Sequence, residues 1–121
     1  MGLRVLIVDD NQVARLLLSS MLSMAGHEPV AEAENLKSTL AAYQKHFPDL
    51  VTLDLSLAEG DGLTVLRMLR KLDSGARVLI VSGNTQRQVM EQVMKEGALG
   101  VLAKPFTAED LAKSLEGIEP R

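Results

Sequence analysis

Apolar residues fall into five short runs, and between the runs they recur at the three- and four-residue spacing of helices. Arg4-Val5-Leu6-Ile7-Val8 is a β-branched run broken by Asp9-Asp10, and from Gln12 the residues Val13, Leu17, Met21 and Leu22 keep helical spacing until Gly26. Glu28 to Glu32 alternates in polarity and holds Pro29, which cannot donate a ladder hydrogen bond, so this second strand belongs at a sheet edge. Asn35 is placed to cap a helix over Leu36 to Lys45, which Pro48 ends. Val51 to Leu57 is an apolar run with a lone carboxylate, Asp54, near its end, followed by the loop Ala58-Glu59-Gly60-Asp61-Gly62. Asp61 is the expected cap of a helix from Leu63 to Leu72, whose Arg67, Arg70 and Lys71 suit a helix C-terminus. Val78 to Val81, closed by Ser82-Gly83, leads into a helix over Gln86 to Lys95 that Gly97 stops. Val101-Leu102-Ala103 is closed by Lys104-Pro105, and Thr107 caps a last helix carrying Leu111, Leu115 and Ile118.

Near-continuous apolar strands alternating with amphipathic helices predict a parallel sheet covered on both faces and built from right-handed crossovers. With the second strand at the edge, the expected order is 2-1-3-4-5. The 121 residues suit one domain throughout.

The 13 basic and 16 acidic side chains leave a net charge of -3, which gives no general attraction to nucleic acid or to an anionic membrane. Without cysteine there is no disulfide, thiolate nucleophile or thiolate metal site. No apolar run reaches membrane-spanning length and no signal-type segment precedes the first strand, so a soluble, cytoplasmic protein is expected. Tyr43, Phe47 and Phe106 are too few for a base-stacking platform.

Chemistry collects where the strands end, at Asp9-Asp10, Asp54, Ser82 and Lys104. In an open parallel sheet these ends share one edge, and ligands bind where the strand order reverses, here between the first and third strands. Three carboxylates are expected to meet at that crevice, with a hydroxyl and an ammonium beside them. Such crowding raises at least one carboxylate pKa unless a cation offsets it, and oxygen-only ligands select a hard cation such as Mg²⁺. A carboxylate can also take a phosphoryl group as an acyl phosphate, with metal, hydroxyl and ammonium neutralising the phosphoryl oxygens. Blander readings compete. Asp9-Asp10 could merely cap the first helix, Ser82-Gly83 could be a turn, Lys104 a solvated strand end, and Asp61-Gly62 capping and turn chemistry. His27 and His46 read as surface histidines, Met90 and Met94 as a helix core stripe, and Arg67, Arg70, Lys71 and Arg77 as a solvated helix end.

Val8-Asp9-Asp10, Leu53-Asp54 with Asp61-Gly62, Val81-Ser82-Gly83, and Gly97-Ala98 leading to Lys104-Pro105-Phe106 together make the chain resemble the receiver domain of two-component response regulators, of the single-domain, chemotaxis-regulator kind. The resemblance implies a flavodoxin-like (βα)5 three-layer sandwich. It implies Asp54 as phosphoacceptor, Asp10 as a direct Mg²⁺ ligand, Asp9 acting mainly through water, and the Ser56 backbone carbonyl on the metal. Ser82 would hydrogen-bond the phosphoryl group and Lys104 would pair with it. A sensor histidine kinase or phosphotransfer protein, a downstream protein effector, and a shift of the fourth helix, fifth strand and fifth helix are further implications. So is a monomer or a phosphorylation-dependent homodimer. The chain departs from the family pattern at Val101, where many members carry an aromatic switch residue, and at Ala58, which replaces a common proline. Ser56 and Asn84 stand where the family tunes acyl-phosphate hydrolysis. Two other readings follow: a constitutive, non-switching binding module, and an aspartyl-phosphate hydrolase, for which the chain has no substrate-binding insertion.

Overall fold

The computed structural model describes residues 2–56, 62–83 and 86–121. Strands and helices alternate among them as β1 (Arg4–Val8), α1 (Gln12–Met24), β2 (Glu28–Ala33), α2 (Leu36–His46), β3 (Leu50–Asp54), α3 (Gly62–Leu72), β4 (Val78–Ser82), α4 (Arg87–Lys95), β5 (Gly100–Ala103) and α5 (Ala108–Leu115). All strand pairs are parallel, and the sheet order is β2-β1-β3-β4-β5. The fold is therefore the flavodoxin-like sandwich expected. β3 and β4 are buried at every residue, the mark of strands covered on both faces, whereas β2 lies at the edge. The β1–β2 register slips between Val5 and Leu6, next to the pairing of Val5 with Pro29, which has no N–H to donate.

Period-two alternation along the strands divides the apolar residues between two cores. On one face Leu6, Val51, Leu53 and Ile80 pack with Tyr43 of α2, Val65, Leu66 and Leu69 of α3, and Val93 of α4. On the other Val5, Ile7, Leu50 and Val81 pack with Leu18 and Leu22 of α1 and Leu111 and Leu115 of α5. Each such side chain, fully buried, contributes about 1.5–3 kcal/mol of transfer free energy. Asn35 and Thr107 form reciprocal capping boxes with Ser38 and Asp110, as expected of both.

Several expectations change. α1 is capped by Asn11, whose Oδ1 accepts the Ala14 N–H at 3.0 Å, so Asp9-Asp10 is not the cap. The inward stripe of α1 is Leu18 and Leu22; Val13 and Leu17 are 74% and 60% exposed, because a helix apolar on more than one side turns only one of them to the sheet. On α4 the buried residue is Val93, while Met94 is 49% exposed and Met90 only partly buried. β3 stops at Asp54 and turns at Leu55-Ser56, short of Leu57, and Ile118 reaches the core from beyond the end of α5. Arg67, Arg70 and Arg77 are engaged rather than merely solvated: Arg67 pairs with Glu96, and the other two donate to the carbonyls of Ala76 and Asp49. His27 is partly buried, and its Nδ1 accepts the Leu3 N–H at 3.0 Å. Ala58, Asp61 and Asn84, to which roles were assigned above, lie outside the described residues.

At the N-terminal end of the strands a polar network closes the sheet. Asp49 accepts the backbone N–H groups of Arg4 and Arg121, both at 2.8 Å. The Arg121 guanidinium donates to Asp73 and to the Tyr43 hydroxyl, which itself donates to Asp73 at 2.7 Å.

Candidate functional site at the C-terminal ends of the strands

β1 and β3 are neighbours and both end in a carboxylate. Asp9 follows Val8 directly, and Asp54 is the last residue of β3; each is only 7% exposed. The backbone fixes one oxygen of each. Asp9 Oδ1 accepts the Asn11 N–H at 2.9 Å, and Asp54 Oδ1 accepts the Ser56 N–H at 2.8 Å, so the two turns aim the remaining oxygens into the crevice. Asp9 is held further by its own N–H, which donates to Ala33 of the edge strand, and by Arg15 Nη1, which donates to its carbonyl at 2.7 Å.

Lys104 enters from the turn after β5. Its backbone N–H donates to the Ser82 carbonyl at 2.9 Å, and its Nζ donates to Asp54 Oδ2 at 2.8 Å and Asp9 Oδ2 at 3.2 Å. One ammonium thus bridges two buried carboxylates, and the solvated-lysine reading fails. Ser82, at the end of β4 and paired in register with Ala103, is completely buried at the same edge.

The electrostatics separate the two acids. Burial raises the Asp54 carboxyl, but the Lys104 hydrogen bond and the Ser56 N–H outweigh it, so its pKa lies below the usual value and the group is ionised at neutral pH. Asp9 is shifted upward, chiefly by burial and also by the charge of Asp54, against the opposing pull of the Asn11 N–H and Lys104. Lys104 is shifted upward despite its burial, because both carboxylates favour its charged form.

Of the three carboxylates expected at the crevice, Asp9 and Asp54 are brought together on Lys104. Asp10, one residue on, is exposed, and among the described residues no group of three His, Cys, Asp or Glu side chains is gathered to hold a metal ion. Two buried like charges share the Lys104 ammonium, and a third beside them would add repulsion. The donor set is nonetheless all oxygen and carries more negative than positive charge, which suits a hard cation.

Three participants were not found in the sequence: Arg15, which anchors the Asp9 carbonyl; Thr52, on β3 two residues before Asp54; and the close passage of Gly62 past the strand end. The interruption of an apolar run by a hydroxyl was the available signal for Thr52. A Cβ on Gly62 would lie 2.5 Å from the Leu55 Cα and 2.8 Å from the Asp54 carbonyl oxygen, so α3 starts against the backbone that carries Asp54.

Residues 5–116 match the family model described as the response regulator receiver domain. The chain is similar to the chemotaxis protein CheY of Bacillus subtilis, with 36% identity over 115 residues, or 95% of this chain and 96% of that protein. It is also similar to CheY of Thermotoga maritima, at 31% identity over 98% of each. Among solved structures, the CheX–CheY–BeF3–Mg²⁺ complex from Borrelia burgdorferi superposes with a TM-score of 0.89 at 26% identity, covering 93% of this chain and 85% of that one.

Proposed function

Because the chain belongs to the response regulator receiver domains, we propose that it is the phosphoacceptor of a two-component system, in which Asp54 receives a phosphoryl group from a sensor histidine kinase or a phosphotransfer protein in the cytoplasm. The observation that carries this reading is the state of Asp54: buried at the end of a central strand, ionised, and 2.8 Å from an ammonium. A carboxylate oxygen of Asp54 attacks phosphorus, the P–N bond to the donor imidazole breaks, and the imidazole leaves with the electron pair and takes up a proton. Lys104 pairs with the incoming phosphoryl oxygens and the buried Ser82 hydroxyl hydrogen-bonds them, supplying charge where it develops.

Two carboxylates against one ammonium leave the site net negative, and every ligand atom on offer is oxygen, which is the chemistry of a Mg²⁺ site. Asp9, Asp10, Asp54 and the Ser56 backbone carbonyl would hold the ion, whose contribution is to neutralise the phosphoryl oxygens. Transfer adds negative charge beside Lys104, and its backbone tie to Ser82 joins the turn after β5 to the end of β4. Through that joint the α4–β5–α5 surface changes and selects a downstream protein. The domain is regulatory: its chemistry is confined to its own phosphorylation and dephosphorylation. A second reading, a constitutive binding module, draws on Val101, which packs partly buried against the core and is no aromatic rotor.

Intact-protein mass after incubation with a small acyl-phosphate donor, with and without Mg²⁺, tests the proposal. The expected result is a Mg²⁺-dependent gain of one phosphoryl group in wild type and none in Asp54→Ala. A folded wild-type protein that gains nothing leaves the non-switching module as the reading.

A further inference from the structure

A cleft of about 370 Å³ opens beside the acidic site, between α1 and the turn after β5. Its floor is Ile7, Thr52 and Val81 of the sheet, its walls are Leu17 and Met21 on one side and Phe106 on the other, and Asp9, Asp54 and Lys104 stand at one end. The volume lies within the range of small-molecule sites, which are mostly apolar with a few polar groups that orient the ligand. Leu17 remains 60% exposed although it lines the cleft, so apolar surface is available there to an incoming group. Thr52 is 1% exposed, and among the described residues its Oγ1 has no hydrogen-bond partner. On a strand, residues 52 and 54 face the same side, so this hydroxyl and the Asp54 carboxylate share the floor.

We propose that the cleft binds a small organic ammonium with an apolar body, its charged head at Asp9 and Asp54 and its body between Leu17, Met21 and Phe106. The charge balance selects the class. Among the described residues two carboxylates share the Lys104 ammonium and reward a further cation, while the apolar walls reward a body that a bare metal ion lacks. The inference does not rest on phosphoryl transfer: it is read without phosphodonor, whereas the phosphoacceptor reading stands on the mass assay.

Titration of the isotopically labelled protein with 2-phenylethylamine, 2-phenylethanol and 3-phenylpropionate, followed by amide chemical shifts, is the test. The amine should saturate shifts at Thr52, Met21 and Phe106. The alcohol should bind about tenfold more weakly, the loss of one charge-assisted contact, and the carboxylate should not bind. Ala14→Leu fills the cleft from α1 and should abolish saturation; Leu17→Ser trims an exposed wall without burden on the core and should weaken binding. Mg²⁺ should compete with the amine. Equal binding of amine and alcohol, shifts confined to the α2–α3 face, or no saturation in wild type overturns the proposal.

Discussion

Replacing Lys104 by Met isolates the charge balance of the site. In the native protein its Nζ lies 2.8 and 3.2 Å from Oδ2 of Asp54 and Asp9, so those two oxygens are at most about 6 Å apart. Two unit charges at that distance repel by about 3 kcal/mol at an effective dielectric of ~20. Breaking a buried ion pair from one side costs about 3–5 kcal/mol, and with 31% of the Lys104 side chain exposed the lower part of that range applies. The expected loss of stability at pH 7 is therefore about 3 kcal/mol, read from urea unfolding followed by circular dichroism. Adding Asp54→Asn to Lys104→Met removes the repulsion and should restore most of the loss. Acidification should do the same. Without its cation, a carboxyl that is raised in the folded state binds its proton there more tightly than in the unfolded chain, so the penalty grows as pH rises above the unfolded carboxylate value and fades below it. Millimolar Mg²⁺ should narrow the gap to wild type. A loss under about 0.5 kcal/mol, or a double variant no more stable than Lys104→Met, would refute the bridging role of the ammonium.

Thr52→Val keeps shape and removes a hydroxyl without a partner, so thermal unfolding should show a gain of about 1 kcal/mol; a loss would mean that the hydroxyl is satisfied. Gly62→Ala must push α3 off the backbone of Leu55 and Asp54, at a cost of about 1–3 kcal/mol in denaturant, and should slow phosphorylation of Asp54 in the mass assay. Asp73, held down to about 2 by Tyr43, Arg121 and the Gly75 N–H, contributes stability that is fully present above its unfolded value of 3.8 and is lost as pH falls through about 2. Asp73→Asn should therefore lower the melting temperature at pH 7 and flatten its dependence on pH between those values.

Much of the fold was legible because burial on both faces leaves a coarse imprint. β3 and β4 read as apolar runs, β2 announced its edge position through Pro29, and Asn35 and Thr107 marked helix starts with residues whose side chains accept backbone N–H groups. The orientation of α1 was not legible. Val13, Leu16, Leu17, Leu18, Met21 and Leu22 supply apolar residues on adjoining faces, and periodicity alone does not say which face meets the sheet. The tertiary context chose Leu18 and Leu22, leaving Leu17 to line the cleft.

The site shows the same division more sharply. A carboxylate closing an apolar strand is costly unless used, so Asp54 stood out by position, and Asp9 and Lys104 gained weight only in combination with it. Their arrangement was not legible, because Asp9 and Asp10 are adjacent, alike in chemistry and equally near the strand end. What separates them is the turn. Asp9 accepts the Asn11 N–H and donates its own N–H to β2, which keeps its side chain inside, while the next residue is carried out to solvent. The single ammonium then settles how much charge the interior holds. Its hydrogen bond and charge help hold the Asp54 carboxyl down, while burial keeps Asp9 up. A third carboxylate beside them would add like charge to the pair that Lys104 offsets. Added cation, rather than added acid, is what would draw the exposed Asp10 toward the other two carboxylates.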